Sequence, residues 1–242
     1  DKHICVREYT AEEIKEGQIL LFDKPYKWTS FQLVNKVRWL LCRKHGWKKL
    51  KVGHAGTLDP LATGLMILCT GKATKQIMQL TGKDKEYIAD IKFGETTPSF
   101  DLETEVDKRF PTEQINKERI QAALEHFMGE QDQIPPMFSA KYVNGVRAYE
   151  LARQGVTEGL KASSIYIHHF ELLNYENAVG RFRINCSKGT YIRSLARDLG
   201  EKLDSGAHLT GLTRTKIGEF KLSDAINVEE FEKKLNINVT NR

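Results

Sequence analysis

A polar, glycine-rich stretch set directly against a short apolar run constrains this chain more than any other feature. Residues 51–64 read Lys-Val-Gly-His-Ala-Gly-Thr-Leu-Asp-Pro-Leu-Ala-Thr-Gly. Residues 65–69, Leu-Met-Ile-Leu-Cys, then form an apolar run of strand length that ends at Thr70-Gly71. Glycines at 53, 56 and 64 permit positive φ or a close backbone approach, and Pro60 fixes the residue after Asp59. A loop so constrained, beside a buried strand, holds its side chains in fixed directions. Its only carboxylate is Asp59, flanked by Leu58 and Pro60. An acid among apolar neighbours, near His54 and Thr57, is a candidate for chemistry. Two plainer readings stand beside that one. Asp-Pro also opens turns, so Asp59 could be a turn cap, and His54 could be a hydrogen-bonded structural histidine.

At 242 residues the chain fits one large domain or two small ones, and a 40% hydrophobic fraction is enough for a core. The net charge of +5, from 37 basic and 32 acidic residues, is compatible with a polyanionic partner without requiring one. Cysteines at 5, 42, 69 and 186 form no C-x-x-C pair and have no histidines at zinc spacing. Cys42 and Cys69 lie in apolar runs and read as small core residues. A reducing cytoplasm and no structural metal are therefore expected. No apolar run approaches the roughly 18 residues of a membrane span, and Asp1-Lys2-His3-Ile4 lacks the apolar core of a signal peptide.

Thr10 is placed to cap a short helix over 9–16, and residues 18–23 read as a strand leading into Lys24-Pro25. A helix starts at Thr29-Ser30, with Leu33, Val34, Val37, Leu40 and Leu41 at three- and four-residue spacing. Its far end, residues 38–51, carries Arg38, Arg43, Lys44, Lys48, Lys49 and Lys51 with Trp39, His45 and Trp47 interleaved, and no acid interrupts it. Such a stretch is either a solvated helix end, whose dipole favours cations, or a surface for an RNA backbone. RNA contact is the favoured reading, through Arg43, Lys44, Lys48, Lys49 and Lys51.

The spacing predicts helices over 72–80, 118–128, 149–153, 190–202 and 228–235. Gly129 is the expected stop for the second of these. In the fourth, Ile192, Leu195, Ala196 and Leu199 face inward, with Arg193 and Arg197 on another face. Strands are expected at 87–93, 165–170 and 181–186, short extended pieces at 209–214 and 217–220, and a hairpin turn at Asn144-Gly145. Gly71-Lys72-Ala73-Thr74 lacks the spacing of a phosphate-binding loop. Strands and helices mix without strict alternation, which argues for α+β with a largely antiparallel sheet.

The loop Gly53-His54-Ala55-Gly56-Thr57-Leu58-Asp59-Pro60-Leu61-Ala62-Thr63-Gly64 resembles the signature loop of the TruB family of tRNA pseudouridine synthases. Leu21-Phe22-Asp23-Lys24-Pro25 resembles that family's opening motif, and Lys85-Glu86-Tyr87 its lysine-x-tyrosine strand start. Gln133-Ile134-Pro135-Pro136, Ser139-Ala140-Lys141 and Tyr149-Glu150-Leu151-Ala152-Arg153 resemble its central segment. Cys186-Ser187-Lys188-Gly189-Thr190-Tyr191-Ile192-Arg193 resembles its second active-site block. These matches run in one order from about Ile19 to Phe220. The family usually reads Thr-Asp-Thr where this chain has Thr97-Pro98-Ser99 before Asp101, so no role is carried over for that loop.

The resemblance implies the pseudouridine synthase fold: a mixed, mostly antiparallel central sheet flanked by helices, with an active-site cleft across it. It implies a single catalytic domain over 1–242, with an inserted RNA-gripping subdomain at about 133–163. A C-terminal RNA-binding domain of the PUA type is not expected. The implied reaction is isomerisation of uridine 55 in the TΨC loop of tRNA, with the base flipped out, by a monomer that uses no cofactor and no metal. Asp59 would be the catalytic residue and Arg193 its charge partner. Tyr87 would stack on the extruded base, with Tyr191 and Leu212 as pocket wall. His54 would enter the stack when the base leaves, and Lys24 would touch phosphate or brace the loop. Two rivals remain at this point: a family enzyme acting on another RNA, and a catalytically silent RNA-binding or RNA-folding module. The intact set of Asp59, Tyr87 and Arg193 argues against the second.

Overall fold

The structure, a computed structural model, describes residues 8–156 and 158–237, so Cys5 lies outside the described residues. Two compact units divide the chain: residues 1–85 with 213–242, and residues 86–212. The first unit is thus discontinuous in sequence.

Helix α1 (Ala11–Glu16) opens the first unit with the capping box foreseen for Thr10: its hydroxyl accepts from the Glu13 amide, and the Glu13 carboxylate accepts from the Thr10 amide. After strand β1 (Ile19–Lys24), Thr29 and Gln32 form the same box at the start of helix α2 (Ser30–His45). That helix buries Leu33, Val34, Val37, Leu40 and Leu41. It ends before the basic stretch does, because Gly46 takes the left-handed φ of +67° that closes a helix. Residues 47–51 lead to β2 (Val52–His54), so the first part of the glycine-rich stretch is a strand. Strand β3 (Thr63–Thr70) is longer than the apolar run alone suggested, and it is almost wholly buried. It pairs antiparallel with β1 and with β2.

The single helix expected over 72–80 is split into a 3₁₀ turn (Gly71–Gln76) and α3 (Ile77–Thr81). Gly71 holds φ +51° against the Lys15 carbonyl, and the Thr74 hydroxyl donates to the Gly71 carbonyl, competing with an α-helical ladder.

Strand β4 (Lys85–Phe93) leads into the second unit with strict alternation of buried and half-buried residues. The ribbon β5 (Glu95–Thr96) and β6 (Lys108–Arg109) frames the turn-rich loop between them. Asn116 caps helix α4 (Lys117–Glu125), which buries Ile120, Ala123 and Leu124. It stops before Gly129, and that glycine, at φ +85°, starts a strand absent from the sequence reading, β7 (Gly129–Gln133). A hairpin of β8 (Tyr142–Val143) and β9 (Val146–Arg147) turns through Asn144 and Gly145, both at positive φ, as that dipeptide favours. Helix α5 (Ala148–Arg153) follows. Strands β10 (Ser163–Glu176) and β11 (Val179–Cys186) are longer than expected and pair antiparallel, and β10 also pairs antiparallel with β7. Phe127, Phe170 and Phe182 pack ring to ring on this sheet, 5.5–6.2 Å between centroids. Helix α6 (Ile192–Lys202) buries Leu195, Ala196 and Leu199, and also Arg193, which the periodicity had set on another face.

One strand, β12 (Ala207–Ile217), replaces the two short extended pieces. Its Thr213 and Arg214 run parallel to Thr63 and Gly64 of β3, and β13 (Phe220–Lys221) folds back on its end. Helix α7 (Val228–Lys234) completes the first unit, Phe231 meeting Phe22 edge to face at 5.0 Å. The elements are those of an α+β fold with mostly antiparallel pairing, as the sequence led us to expect.

Candidate active site

In the first unit the stretch 55–62 leaves the sheet after β2 and returns to it at β3. The amide of Ala55 still bonds the Ile67 carbonyl at 2.9 Å. Ser30 Oγ then accepts from the Leu58 amide at 2.9 Å and donates to the Leu58 carbonyl at 3.1 Å, tying the loop to the start of α2. Asp59 opens a turn, its carbonyl accepting from Ala62 at 3.0 Å. The turn reading thus holds for its backbone, while its partly buried side chain remains a candidate for chemistry.

Two buried cations hold this loop from separate strands. Lys24, at the end of β1, has no exposed surface, and its Nζ donates to the carbonyls of Trp28 at 2.6 Å, Pro25 at 3.0 Å and Pro60 at 3.4 Å. Of the two roles weighed for Lys24, loop bracing is the one these bonds perform. Burial pulls its pKa down to about 8; the Asp59 carboxylate opposes that shift and the Arg214 guanidinium adds to it. Arg214, 1% exposed, donates from Nε to the Leu65 carbonyl at 2.9 Å. Its terminal nitrogens reach the Gly56 carbonyl at 3.0 Å and the Thr57 carbonyl at 3.4 Å. His54, partly buried, has its pKa lowered by burial and then by the Arg214 charge.

Two of the loop's glycines lie against residue 214, Gly64 against its backbone and Gly56 beside its guanidinium. Gly64 has φ +108°, and a Cβ there would stand 2.3 Å from the Arg214 carbonyl oxygen. Gly56 has φ +99°, and a Cβ there would face the guanidinium at 3.6 Å. Sequence reasoning missed Arg214 and Ser30. They carry no local motif, and the glycines were the one trace of something close.

The second unit holds the remaining predicted site residues. Tyr87 is buried on the face of β4 that also presents Ala89, Ile91 and Phe93. Tyr191 is partly buried as the N-cap residue of α6, and the buried amide of Gln133 clasps its backbone. Gln133 Oε1 accepts from the Tyr191 amide at 2.8 Å, and Nε2 donates to the Tyr191 carbonyl at 3.1 Å. Leu212 is partly exposed on β12. Arg193, 4% exposed, donates to the Phe138 carbonyl at 2.7 Å and the Ser99 carbonyl at 3.3 Å, and its Nε lies 3.9 Å from Asp101 Oδ2. Asp101 is itself held by the Ser99 hydroxyl at 2.6 Å and the Glu103 amide at 2.9 Å. The Thr97-Pro98-Ser99 departure therefore falls in a loop that brings a carboxylate to Arg193, and the sequence reading had given no role to Asp101 or to Gln133.

Of the basic stretch, Arg43, Lys44, Lys48, Lys49 and Lys51 are all exposed. Exposed Trp39 lies under both Lys36 and Arg43 at 5.1 Å, and Trp47 stacks on His45 at 4.5 Å. Arg38 instead turns inward to Asn35 and the Val52 carbonyl. Among the described residues no three His, Cys, Asp or Glu side chains gather as metal ligands would, and no helix is long and apolar enough to cross a membrane.

Residues 43–192 match the N-terminal domain of the TruB family pseudouridylate synthases, and residues 193–240 match the tRNA pseudouridylate synthase B C-terminal domain. A tRNA pseudouridine synthase B of Phocaeicola vulgatus is 58% identical over 217 residues, covering 90% of this chain and 92% of the relative. The protein of that name from Flavobacterium johnsoniae is 54% identical over 227 residues, 93% of this chain and 99% of the relative. Among solved structures, a chain of a Cbf5-Nop10-Gar1 complex superposes with a TM-score of 0.68 at 27% identity; 93% of this chain covers 58% of that one.

Proposed function

Because the chain belongs to the TruB family of pseudouridylate synthases, we propose that it isomerises uridine to pseudouridine in tRNA, at position 55 of the TΨC loop. The observation that carries this reading is the signature loop itself. Asp59 sits in a turn whose backbone is pinned by Ser30, Lys24 and Arg214, in a chain more than half identical to tRNA pseudouridine synthases over nine-tenths of its length.

The reaction detaches uracil from C1′ of its ribose, turns it and re-attaches it through C5, with no redox change. A uracil stacked in a folded arm must first be flipped out, at a cost of a few kcal/mol. Cleavage of the glycosidic bond needs a carboxylate beside the sugar or the base, as nucleophile or as stabiliser of developing positive charge. We assign that part to Asp59. With it, as the substrate-binding set, go His54, Tyr87, Tyr191, Arg193 and Leu212 in the roles that the resemblance gives them, and Lys24 as the brace beneath the loop. An aromatic face such as Tyr87 contributes about 1–3 kcal/mol to holding a flipped base. The exposed cations Arg43, Lys44, Lys48, Lys49 and Lys51 meet the RNA backbone.

Incubation of the protein with an unmodified tRNA transcript, followed by mapping of pseudouridine at single-nucleotide resolution, tests the reading. One new pseudouridine, in the TΨC loop, is expected. Product at another position or in another RNA would reassign the substrate, and no product would overturn the proposal.

A further inference from the structure

We infer that Arg214 is a positioning residue for the reaction: by gathering the carbonyls of Gly56, Thr57 and Leu65 around one buried guanidinium, it sets the direction in which the Asp59 carboxylate points. The inference rests on the pseudouridine synthase reading of the signature loop.

The geometry is that of a three-pronged brace. A guanidinium has five N–H donors in a fixed planar fork, so it can hold carbonyls from both sides of a loop in one plane, which a single-point ammonium cannot do. Here Nε holds Leu65, where the chain re-enters β3, while the terminal nitrogens hold Gly56 and Thr57, where it has left β2. The loop between these anchors contains Asp59. Ser30 fixes Leu58 from the α2 side and Lys24 fixes Pro60 from the β1 side, so both neighbours of Asp59 are tethered in addition. Gly56, at positive φ, brings the loop backbone past the guanidinium, and Gly64, also at positive φ, lets β3 lie against the backbone of residue 214, where a Cβ would clash. A buried charge used only for packing would be a costly choice beside a second buried cation, Lys24. Its three bonds to the loop are what offset that cost. The same charge bears on His54, helping to hold the imidazole neutral.

Two substitutions and two readouts test this. Arg214→Met removes the fork and the charge, whereas Arg214→Lys keeps the charge and loses the fork. In single-turnover assays on tRNA transcript we expect the rate of the chemical step to fall about a hundredfold in Arg214→Met, the scale of a catalytic group displaced by roughly 1 Å. For Arg214→Lys we expect at least a tenfold fall, with the Kd for tRNA changed less than threefold in both. Titration of the His54 ring by NMR should move upward in Arg214→Met and stay near the wild-type value in Arg214→Lys, a shift that a merely structural role would not couple to charge. If Arg214→Met does not fold, Arg214→Lys decides alone. A folded variant with wild-type single-turnover rate overturns the inference, as does a loss of tRNA affinity equal to the loss of rate. Wild-type enzyme in the same assay separates the two levels. If it forms no pseudouridine the functional reading fails, and if it does while Arg214 variants keep pace with it, only the brace fails.

Discussion

Lys24 gives the sharpest test of the electrostatics around the loop. Its amine titrates near 10.5 in an unfolded chain and at about 8 in the folded one, chiefly because burial penalises the charge. Between those values the unfolded chain binds the extra proton, so stability must rise with pH across that window. At pH 7 the buried ammonium costs about 3 kcal/mol relative to an unperturbed lysine. By pH 9.5 about 2 kcal/mol of that cost is relieved. Lys24→Met removes the titration but leaves the carbonyls of Pro25, Trp28 and Pro60 without this donor. The Pro60 and Pro25 carbonyls keep the amides of Lys27 at 2.8 Å and Trp28 at 3.4 Å, so the loss falls mainly on the Trp28 carbonyl. At about 1–3 kcal/mol it roughly balances the desolvation that is spared, and the variant should be of similar stability to wild type at pH 7. The diagnostic quantity is the gap between wild type and Lys24→Met in urea unfolding. It should widen by about 2 kcal/mol from pH 7 to pH 9.5 as the wild type alone is relieved. A gap that stays constant within about 0.5 kcal/mol would refute a charged, buried Lys24 beneath the loop.

Asp59→Asn should abolish pseudouridine formation while tRNA affinity stays within about tenfold, or 1.4 kcal/mol; turnover by that variant would remove Asp59 from its role. Affinity for tRNA should fall steeply with added salt, and Lys48→Gln with Lys49→Gln should flatten the log–log slope by about one to two. A flat response in the wild type would withdraw the basic stretch as an RNA surface. Gly64→Ala places a Cβ 2.3 Å from the Arg214 carbonyl at φ +108°, and should cost more than about 2 kcal/mol in urea unfolding, with activity reduced in step. A variant within about 0.5 kcal/mol of wild type would show that β3 and β12 can separate there without penalty.

Local chemistry made much of this architecture readable in advance. Thr10 and Thr29 each cap a helix through a side chain three residues on, Asn144-Gly145 can hardly be other than a tight hairpin, and α2 announces its buried face by spacing. The reading failed where long-range contacts decide. Nothing near Gly129 says that residues 129–133 will pair with Ser163–Ile167, and the burial of Arg193 follows from carbonyls at 99 and 138 rather than from helical periodicity. The same holds at the loop. Asp59 and its apolar neighbours stand out in one dimension, whereas Arg214, Ser30, Gln133 and Asp101 gain their meaning only from partners distant or unmarked in the chain. The 3₁₀ turn that begins at Gly71 belongs with these, since that residue packs closely against the distant Lys15 carbonyl.

The bonds from Arg214 to the loop span 149 to 158 positions of sequence. On a ribosome, Asp59 emerges long before the side chain that shapes its surroundings exists, and the first unit lacks its closing strand until the whole of residues 86–212 has been made. A nascent chain should therefore hold its carboxylate in an unfinished bend, and competence should arrive late, in a single closing event. Contacts of such separation are slow to form, so on refolding from denaturant, recovery of turnover should trail the recovery of bulk secondary structure.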